Sequence, residues 1–409
     1  ISFQFFEIEK DIESIADDVF LQIELSKNVL EMEGISVKDT RIERKVNTRK
    51  IRGGDIVQSS RELKMVSQVA EADVFRAVQA LPGVASINDF SAGLYVRGGS
   101  PDQNLILLDG IDVYNPNHLG GVFSTFNTDA VRDIELLKGG FPAIYGGRLS
   151  AVLNVANKEG NRKHFHGIGR VSLLSSSATL EGPWKIGNRS GSWMLSGRRT
   201  YIDMAAKAFD VDMPDYYFYD GHGRFNLDVS KTDKLSLSFY AGKDRMNMGS
   251  DSNFGIDWGN STVSTQWTHI FSPRLFSHFI FAGSEFSSNF GLDFDGEDYY
   301  DRTNRIRDLS LKGGFSYKPV EEHLLDFGFD LKHNEIVYRE DLNMDVDENS
   351  LPNIDVDCQQ LSVYLQDSWD IGALWTVQPG IRATVCRAVG NYRARSEEHT
   401  SELQSLRTI

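Results

Sequence analysis

His164 and His166 stand two residues apart. In an extended segment such a pair projects from one face, as two metal ligands would. No third ligand follows at a metal-binding spacing, so the simpler reading is a solvated pair. Cys358 and Cys386 are the only cysteines. Their spacing fits no zinc motif, which leaves an incidental pair or one bridge in an oxidising compartment. The glycine pairs in Arg97-Gly98-Gly99-Ser100 and Gly139-Gly140 invite a phosphate-loop reading. The lysine and hydroxyl residue that complete a phosphate loop are absent, and no dinucleotide fingerprint follows a strand. No Gly-x-Ser-x-Gly elbow stands between a strand and a helix. These residues therefore point to no catalytic group, no metal site and no cofactor.

The elements that carry these residues fall into regions of different periodicity. Short strand-like runs occupy residues 1–39, with Leu21, Ile23 and Leu25 on one side and Phe20, Gln22 and Glu24 on the other. Residues 40–160 mix signals. Val74, Val78 and Leu81 lie at helical spacing, and Pro82-Gly83 ends that run. Strands are predicted at residues 93–96, 105–108, 133–138 and 151–155, separated by glycine turns. From residue 164 the helical period gives way to long period-two alternation. Leu235, Leu237, Phe239 and Ala241 alternate with Ser236, Ser238, Tyr240 and Gly242. Leu325, Phe327, Phe329 and Leu331 alternate with Asp326, Gly328, Asp330 and Lys332. Roughly ten such strands can be counted up to residue 390. Short turns are predicted at residues 230–233, 272–274, 318–322 and 370–374, and long polar loops at 201–216, 246–260, 291–305 and 338–357. Short turns at one end and long loops at the other suit a membrane barrel, as do segments of about ten residues or more. A soluble β-sandwich is the alternative, but its strands usually run only about 5–6 residues.

Composition agrees. Among 409 residues, 11% are aromatic and 36 are glycine, a mix that favours strands and tight turns. The net charge of −15 argues against a nucleic-acid partner. It fits either an ordinary solvated surface or an acidic outer rim that handles cations or meets ions bridging surface lipids. No run of 18 apolar residues is present, so no transmembrane helix is expected. The chain starts at Ile1, and the absence of a visible signal peptide is read as a cut start.

The most specific stretch runs from Tyr95 to Val155. It holds Arg97-Gly98-Gly99, then Leu108-Asp109-Gly110, then Ile134, Glu135, Lys138 and Gly139, then Tyr145-Gly146-Gly147 followed by Arg148. In type and order these four elements resemble the plug domain of TonB-dependent receptors. The resemblance extends over about residues 50–390. It implies a mainly β chain, an α+β plug domain (residues 40–160) followed by an incomplete antiparallel transmembrane β-barrel (161–394). It also implies that Arg97 and Arg148 pair with carboxylates of the barrel wall.

Residues 1–39 are similar to the end of a carboxypeptidase-regulatory-like module, as found before the plug in Bacteroidetes receptors. On that resemblance the TonB box, which pairs with its partner by β-augmentation, falls on Met32, Glu33, Gly34, Ile35, Ser36, Val37, Lys38 and Asp39. An ordinary linker strand is the alternative. Residues 395–409 begin RSEEHTSELQS and resemble a translated sequencing adapter.

The function implied is active import across the outer membrane of a Gram-negative bacterium, without enzymatic change to the cargo. The partners implied are the TonB complex of the inner membrane, outer-membrane lipid, a surface lipoprotein, and a small ligand such as a siderophore, cobalamin, glycan or peptide. A passive porin and a secreted β-rich glycan-binding protein are the competing classes.

Overall fold

In a computed structural model of the chain, residues 56–63, 72–86, 93–172, 174–211, 214–248, 253–293, 299–343, 353–372 and 375–393 are described, all within one compact unit. The N-terminal strands, the candidate TonB box and residues 395–409 lie outside the described residues.

The first part of the unit is a small mixed domain. Its strands are β1 (Ile56–Ser59), β2 (Val84–Ala85), β3 (Tyr95–Val96), β4 (Leu105–Leu108), β5 (Ile111–Asp112), β6 (Asn117–His118), β7 (Phe123–Ser124), β8 (Val131–Leu137) and β9 (Val152–Asn157). Five of them form one sheet in the order β1-β8-β9-β4-β5, in which only β4 and β9 run parallel. The predicted helix forms over Val74–Gln79. Asp73 caps it by accepting a 3.0 Å hydrogen bond from the Arg76 amide, which satisfies one of the unpaired amides of the first turn. Its buried face, Val74, Phe75, Ala77 and Val78, joins Leu94, Phe126, Ile134, Leu136 and Leu153 in the domain core.

The second part is one antiparallel sheet whose strands pair in chain order up to β19. Its strands are β10 (His166–Val171), β11 (Ser175–Ile186), β12 (Arg189–Thr200), β13 (Asp215–Asp228), β14 (Asp233–Met248), β15 (Asn253–Ser272), β16 (Leu275–Asp293), β17 (Tyr299–Tyr317), β18 (His323–Asn343), β19 (Asn353–Ile371), β20 (Trp375–Val377) and β21 (Gly380–Arg393). The last two both pair with β19, on either side of Pro379. The sheet thus has twelve strands where alternation alone suggested about ten. Among the described residues β10 and β21 each have a neighbour on one side only.

The short turns fall where the sequence places them, but three of the four long loops are much shorter than predicted. Residues 246–248, 253–260, 291–293, 299–305, 338–343 and 353–357 are strand. β15 to β19 consequently run 19–21 residues each, about twice what a tilted strand needs to cross a bilayer. Beyond the membrane no hydrocarbon demands an apolar outer face, so the ladder continues through segments too polar to read as membrane strands. The 201–216 connection holds the helix Ile202–Ala208.

Candidate functional site

The small domain sits against the inner face of the large sheet, and the Leu108-Asp109-Gly110 motif is one of its contacts. Asp109 (φ 51) and Gly110 (φ 82) make the two-residue turn between β4 and β5, a left-handed geometry for which Asp-Gly is a preferred pair. Asp109 accepts from the backbone amide (3.0 Å) and the side-chain amide (2.9 Å) of Asn157, and pairs with Arg224 of β13 at 2.7 Å. Gln266 of β15 donates to the Asp109 carbonyl (2.8 Å) and Lys312 of β17 to the Gly110 carbonyl (2.8 Å).

The other motif residues are placed apart from this turn. Arg97 (φ 48) and Gly98 (φ 86) form a similar turn next to Gly99. Glu135 lies on β8 opposite Val57 and Asn154. Lys138 donates to the Pro82 carbonyl at 2.8 Å. Gly139 and Gly140 both have positive φ, as does Gly147. Tyr145 packs on Leu107, Leu137 and Val152. Gly146 lies against the Arg382 side chain. His166 faces Glu181 at 3.3 Å, and among the described residues no group of metal-ligating side chains forms.

Among the described residues Arg97 and Arg148 make no ion pair with the wall. Both are exposed, and Arg148 donates only to its neighbour's Gly147 carbonyl at 2.9 Å. Most of the ion pairs across the interface have the opposite polarity: acids on the small domain, cations on the wall. Besides Arg224–Asp109, Arg170 of β10 pairs with Asp129. Asp112 pairs with Lys332 of β18 and, at 3.4 Å, with Lys312. Burial pushes the Asp112 carboxyl up, but the two ammonium groups outweigh it and hold it well below the usual carboxylate range. Beside it Tyr114 donates to Asp308 of β17 at 2.6 Å, and burial raises its phenol. Wall side chains also grip backbone: Arg382 donates to the Ile144 carbonyl (2.9 Å), and Gln366 accepts from the Ala143 amide (2.8 Å).

The exception in polarity is His118. Its imidazole is buried between Asp244 (2.5 Å) and Asp220 (3.3 Å) and stacks on Phe218 at 4.0 Å. Arg198 pairs with Asp220 at 2.6 Å and donates to the Ser124 carbonyl at 2.8 Å. Burial lowers the imidazole pKa, but hydrogen bonds and charge from Asp220 and Asp244 prevail and raise it. Next in the chain, Leu119 has φ 50, a strained value for a bulky residue, and its amide donates to Tyr216 (2.7 Å) and Asp244 (3.0 Å). Sequence reasoning singled out none of His118, Asp112 or Asp129. All three lie within the Tyr95–Val155 stretch but outside its four motif elements, and their partners lie farther along the chain.

The alternation of the wall changes phase along its strands. Asp308, Lys312, Lys332 and Gln366 reach the small domain, so even positions on β17 to β19 face inward. Near the short turns the odd, outward positions are apolar, including Phe281, Leu309, Leu311, Phe327 and Leu331, all exposed. Towards the other end the apolar residues are the inward ones: Phe254, Ile256 and Trp258 on β15, Phe290 and Leu292 on β16, Tyr300 and Ile306 on β17, Ile336, Tyr338 and Leu342 on β18. Trp258 donates to the Asn117 carbonyl at 3.0 Å, which fixes its direction. Phe290 meets Phe254 edge-on at 5.3 Å and Tyr300 at 5.8 Å, with the Arg302 guanidinium over its ring at 5.2 Å. Most outward positions there are polar, among them Asp257, Arg305, Arg307, Glu335 and Arg339, with Val337 and Tyr299 as exceptions. No register shift occurs along β16–β17 or β17–β18, so the inversion is in the sequence itself. The result is an aromatic and aliphatic vestibule beside the small domain's apex.

The family model for the TonB-dependent receptor plug domain matches residues 56–152. Among solved structures, P. aeruginosa FpvA with a heterologous pyoverdine and iron aligns with TM-score 0.62 at 15% identity, over 85% of this chain and 54% of FpvA. The ferric citrate transporter FecA aligns with TM-score 0.62 at 14% identity, over 86% of this chain and 58% of FecA. The siderophore receptor PiuA from Acinetobacter baumannii gives 0.60 at 14% identity, over 84% and 59%. At such identities the likeness is one of fold, and the chain spans between half and three fifths of the length of these structures. Residues 56–152 thus match the family of TonB-dependent receptor plug domains, and the chain as a whole has the fold of these solved structures, a plug-like domain against the inner face of an antiparallel wall.

Proposed function

We propose that the chain belongs to an active importer. Ligand binds in the vestibule above the plug, and the TonB complex, pairing with residues 32–39, draws the plug aside so that the ligand passes into the periplasm. The observation that carries this reading is the plug domain itself, seated on the wall through ion pairs and hydrogen bonds such as Arg224–Asp109 and Lys332–Asp112. A passive porin has no use for such a domain. Polar contacts can also be exchanged for water as the plug shifts, at less cost than exposing an apolar interface. The division into residues 1–39, 40–160 and 161–394 follows from the same reading, with the first segment as the coupling arm. FpvA is described in complex with pyoverdines and iron, and PiuA as a siderophore receptor. For this chain the cargo is a scarce small molecule, with siderophore, cobalamin, glycan and peptide as the classes to be tried. A surface lipoprotein is a further partner consistent with a glycan cargo.

The coupling arm gives the test. Proline removes a backbone N–H and is disfavoured in paired strands, so Ile35→Pro and Val37→Pro are expected to abolish accumulation of ligand in whole cells. Surface binding of the same ligand is expected to survive, and Val37→Ile to behave as wild type. Unchanged accumulation in both proline variants would remove residues 32–39 from the mechanism, and accumulation without TonB would favour the porin.

A further inference from the structure

The only two cysteines of the chain meet on the inward face of the wall. That face is fixed by contacts with the plug. Gln366 of β19 accepts from the Ala143 amide, and Arg382 of β21 donates to the Ile144 carbonyl. Cys358 and Cys386 stand at even spacings from these two residues, each on the same strand as one of them. The β19–β21 ladder runs from Asn353 to Gln366 without a register shift, so both thiols point inward. Cys386 is opposite Gln360 and Cys358 opposite Ala388, which makes the cysteines diagonal neighbours. Their thiols lie within hydrogen-bonding reach of each other. Cys386 is exposed and Cys358 half-buried, so a small ion has access to the pair.

A disulfide is one use of two facing thiols, and the register opposes it. Diagonal partners on a sheet stand about 7–8 Å apart. A disulfide rarely spans more than about 7 Å between Cα atoms and brings its sulfurs to about 2.05 Å. Closing it would drag β21 against β19, in a ladder that is paired on both sides of the cysteines. A metal ion between the thiolates asks for less, because bonds of about 2.3 Å leave the sulfurs as much as about 4.6 Å apart. The surroundings select the ion. The adjoining inward residues are Asn334 of β18, Val356 and Gln360 of β19, and Thr384 and Ala388 of β21. None offers a carboxylate or an imidazole, and nowhere among the described residues do three metal-ligating side chains gather. Zinc would lack half of its four ligands, and a hard cation would lack anionic oxygen. An ion satisfied by two soft thiolates remains.

We propose that Cys358 and Cys386 bind one monovalent soft cation of the copper(I) and silver(I) class at the floor of the vestibule. Each thiol gives its proton to water and each thiolate donates an electron pair, so the complex carries one net negative charge. Beside the pair, Lys332 and Asp308 grip Asp112 and Tyr114 of the plug; above it, Ile306, Ile336 and Val356 begin the vestibule lining. An ion held there lies between cargo and plug. The inference rests on the inward facing of β19 and β21 and not on coupling to TonB.

The test titrates the full-length receptor, in mild detergent and chloride-free buffer, with silver(I), which binds thiolates as copper(I) does but is stable in air. Native mass spectrometry is expected to show one silver ion per chain, and both cysteines are expected to become protected from maleimide. Changing groups that merely support a metal ligand costs about 10–100-fold in affinity, so Cys358→Ser and Cys386→Ser are each expected to weaken binding by about a hundredfold or more. Asn334→Ala, beside the pair but not a ligand, should bind as wild type does. Acidification should weaken binding, because protons compete for the thiolates. Silver held equally well by both serine variants would show adventitious binding elsewhere and overturn the site. Receptor isolated about 2 Da light with both thiols blocked would reveal a disulfide and overturn it too. Zinc(II) bound as tightly, with the same dependence on the cysteines, would overturn the class of ion. Heat-modifiable migration reports assembly. If the serine variants fail to assemble, maleimide protection in wild type decides, and its absence overturns the site. No uptake is measured, so failure here leaves the import reading untouched.

Discussion

Asp112 holds its charge away from water only because Lys332 and Lys312 surround it. Removing one member of such a buried group leaves the others desolvated and unbalanced, which costs about 3–5 kcal/mol. Asp112→Ala is therefore expected to loosen the plug, seen as release of plug contacts at lower urea while the barrel still migrates as folded. Lys312→Ala, which leaves Lys332 to pair Asp112, is expected to cost less. His118 makes a pH-dependent contact. It faces Asp244 and Asp220, with Arg198 and Tyr216 alongside. Its docked pKa lies above the ordinary 6.5, so its contribution is complete below about that pH and is lost as pH rises through the docked value. Urea resistance of the plug contact should decline on alkalinisation, and His118→Gln should remove that decline while leaving other pH effects in place. A variant with the wild-type slope would assign the dependence to another group.

At the scale of elements, facing is the decisive property, because a one-residue slip would turn every side chain to the other side. On β18, Asp330 faces inward beside Arg382 (3.6 Å) and Lys332 reaches the plug, which directs Phe327 and Phe329 to lipid. Phe329→Arg is expected to destabilise the assembled barrel by about 2–4 kcal/mol if it lies near the bilayer midplane. Asp330→Asn should cost much less, since it keeps a polar group in a polar lumen. Lipid-phase quenching of a label at residue 329 and aqueous reagent access at residue 330 check the assignment; the reverse pattern would refute it. The same facing rule explains the vestibule. Where the outside is lipid, the odd residues of β18 are apolar; where the outside is water, Ile336, Tyr338 and Leu342 turn the apolar face inward.

At the scale of the molecule, the sheet runs from β10 to β21 without these two strands pairing among the described residues. An open sheet leaves backbone groups unsatisfied in hydrocarbon, where each costs several kilocalories, and offers edges for aggregation. A protein made of residues 56–393 alone is therefore expected to aggregate and to give no heat-modifiable monomer on a gel. A heat-modifiable monomer from those residues would show that the two ends close on each other.

The sequence by itself determined the plug, the antiparallel wall and the membrane face. Arg-Gly-Gly, Leu-Asp-Gly and the Tyr-Gly turn are local signals, since positive φ at Gly98 and Gly110 depends on residue type and immediate neighbours. Alternation such as Leu325 to Leu331 is local too, because successive strand residues point to opposite sides. The tertiary structure alone decided who holds the plug. Asp109 meets Arg224, His118 meets Asp244, and Asp112 meets Lys332 across gaps of more than a hundred residues. No pattern in one segment carries a partner in another, which is why Arg97 and Arg148 were expected at an interface whose cations lie on the wall. The length of the strands beyond the membrane was likewise a tertiary matter. There the ladder is maintained by neighbouring strands, and the polar residues of 338–343 and 353–357 keep their place in it without an apolar face turned to lipid.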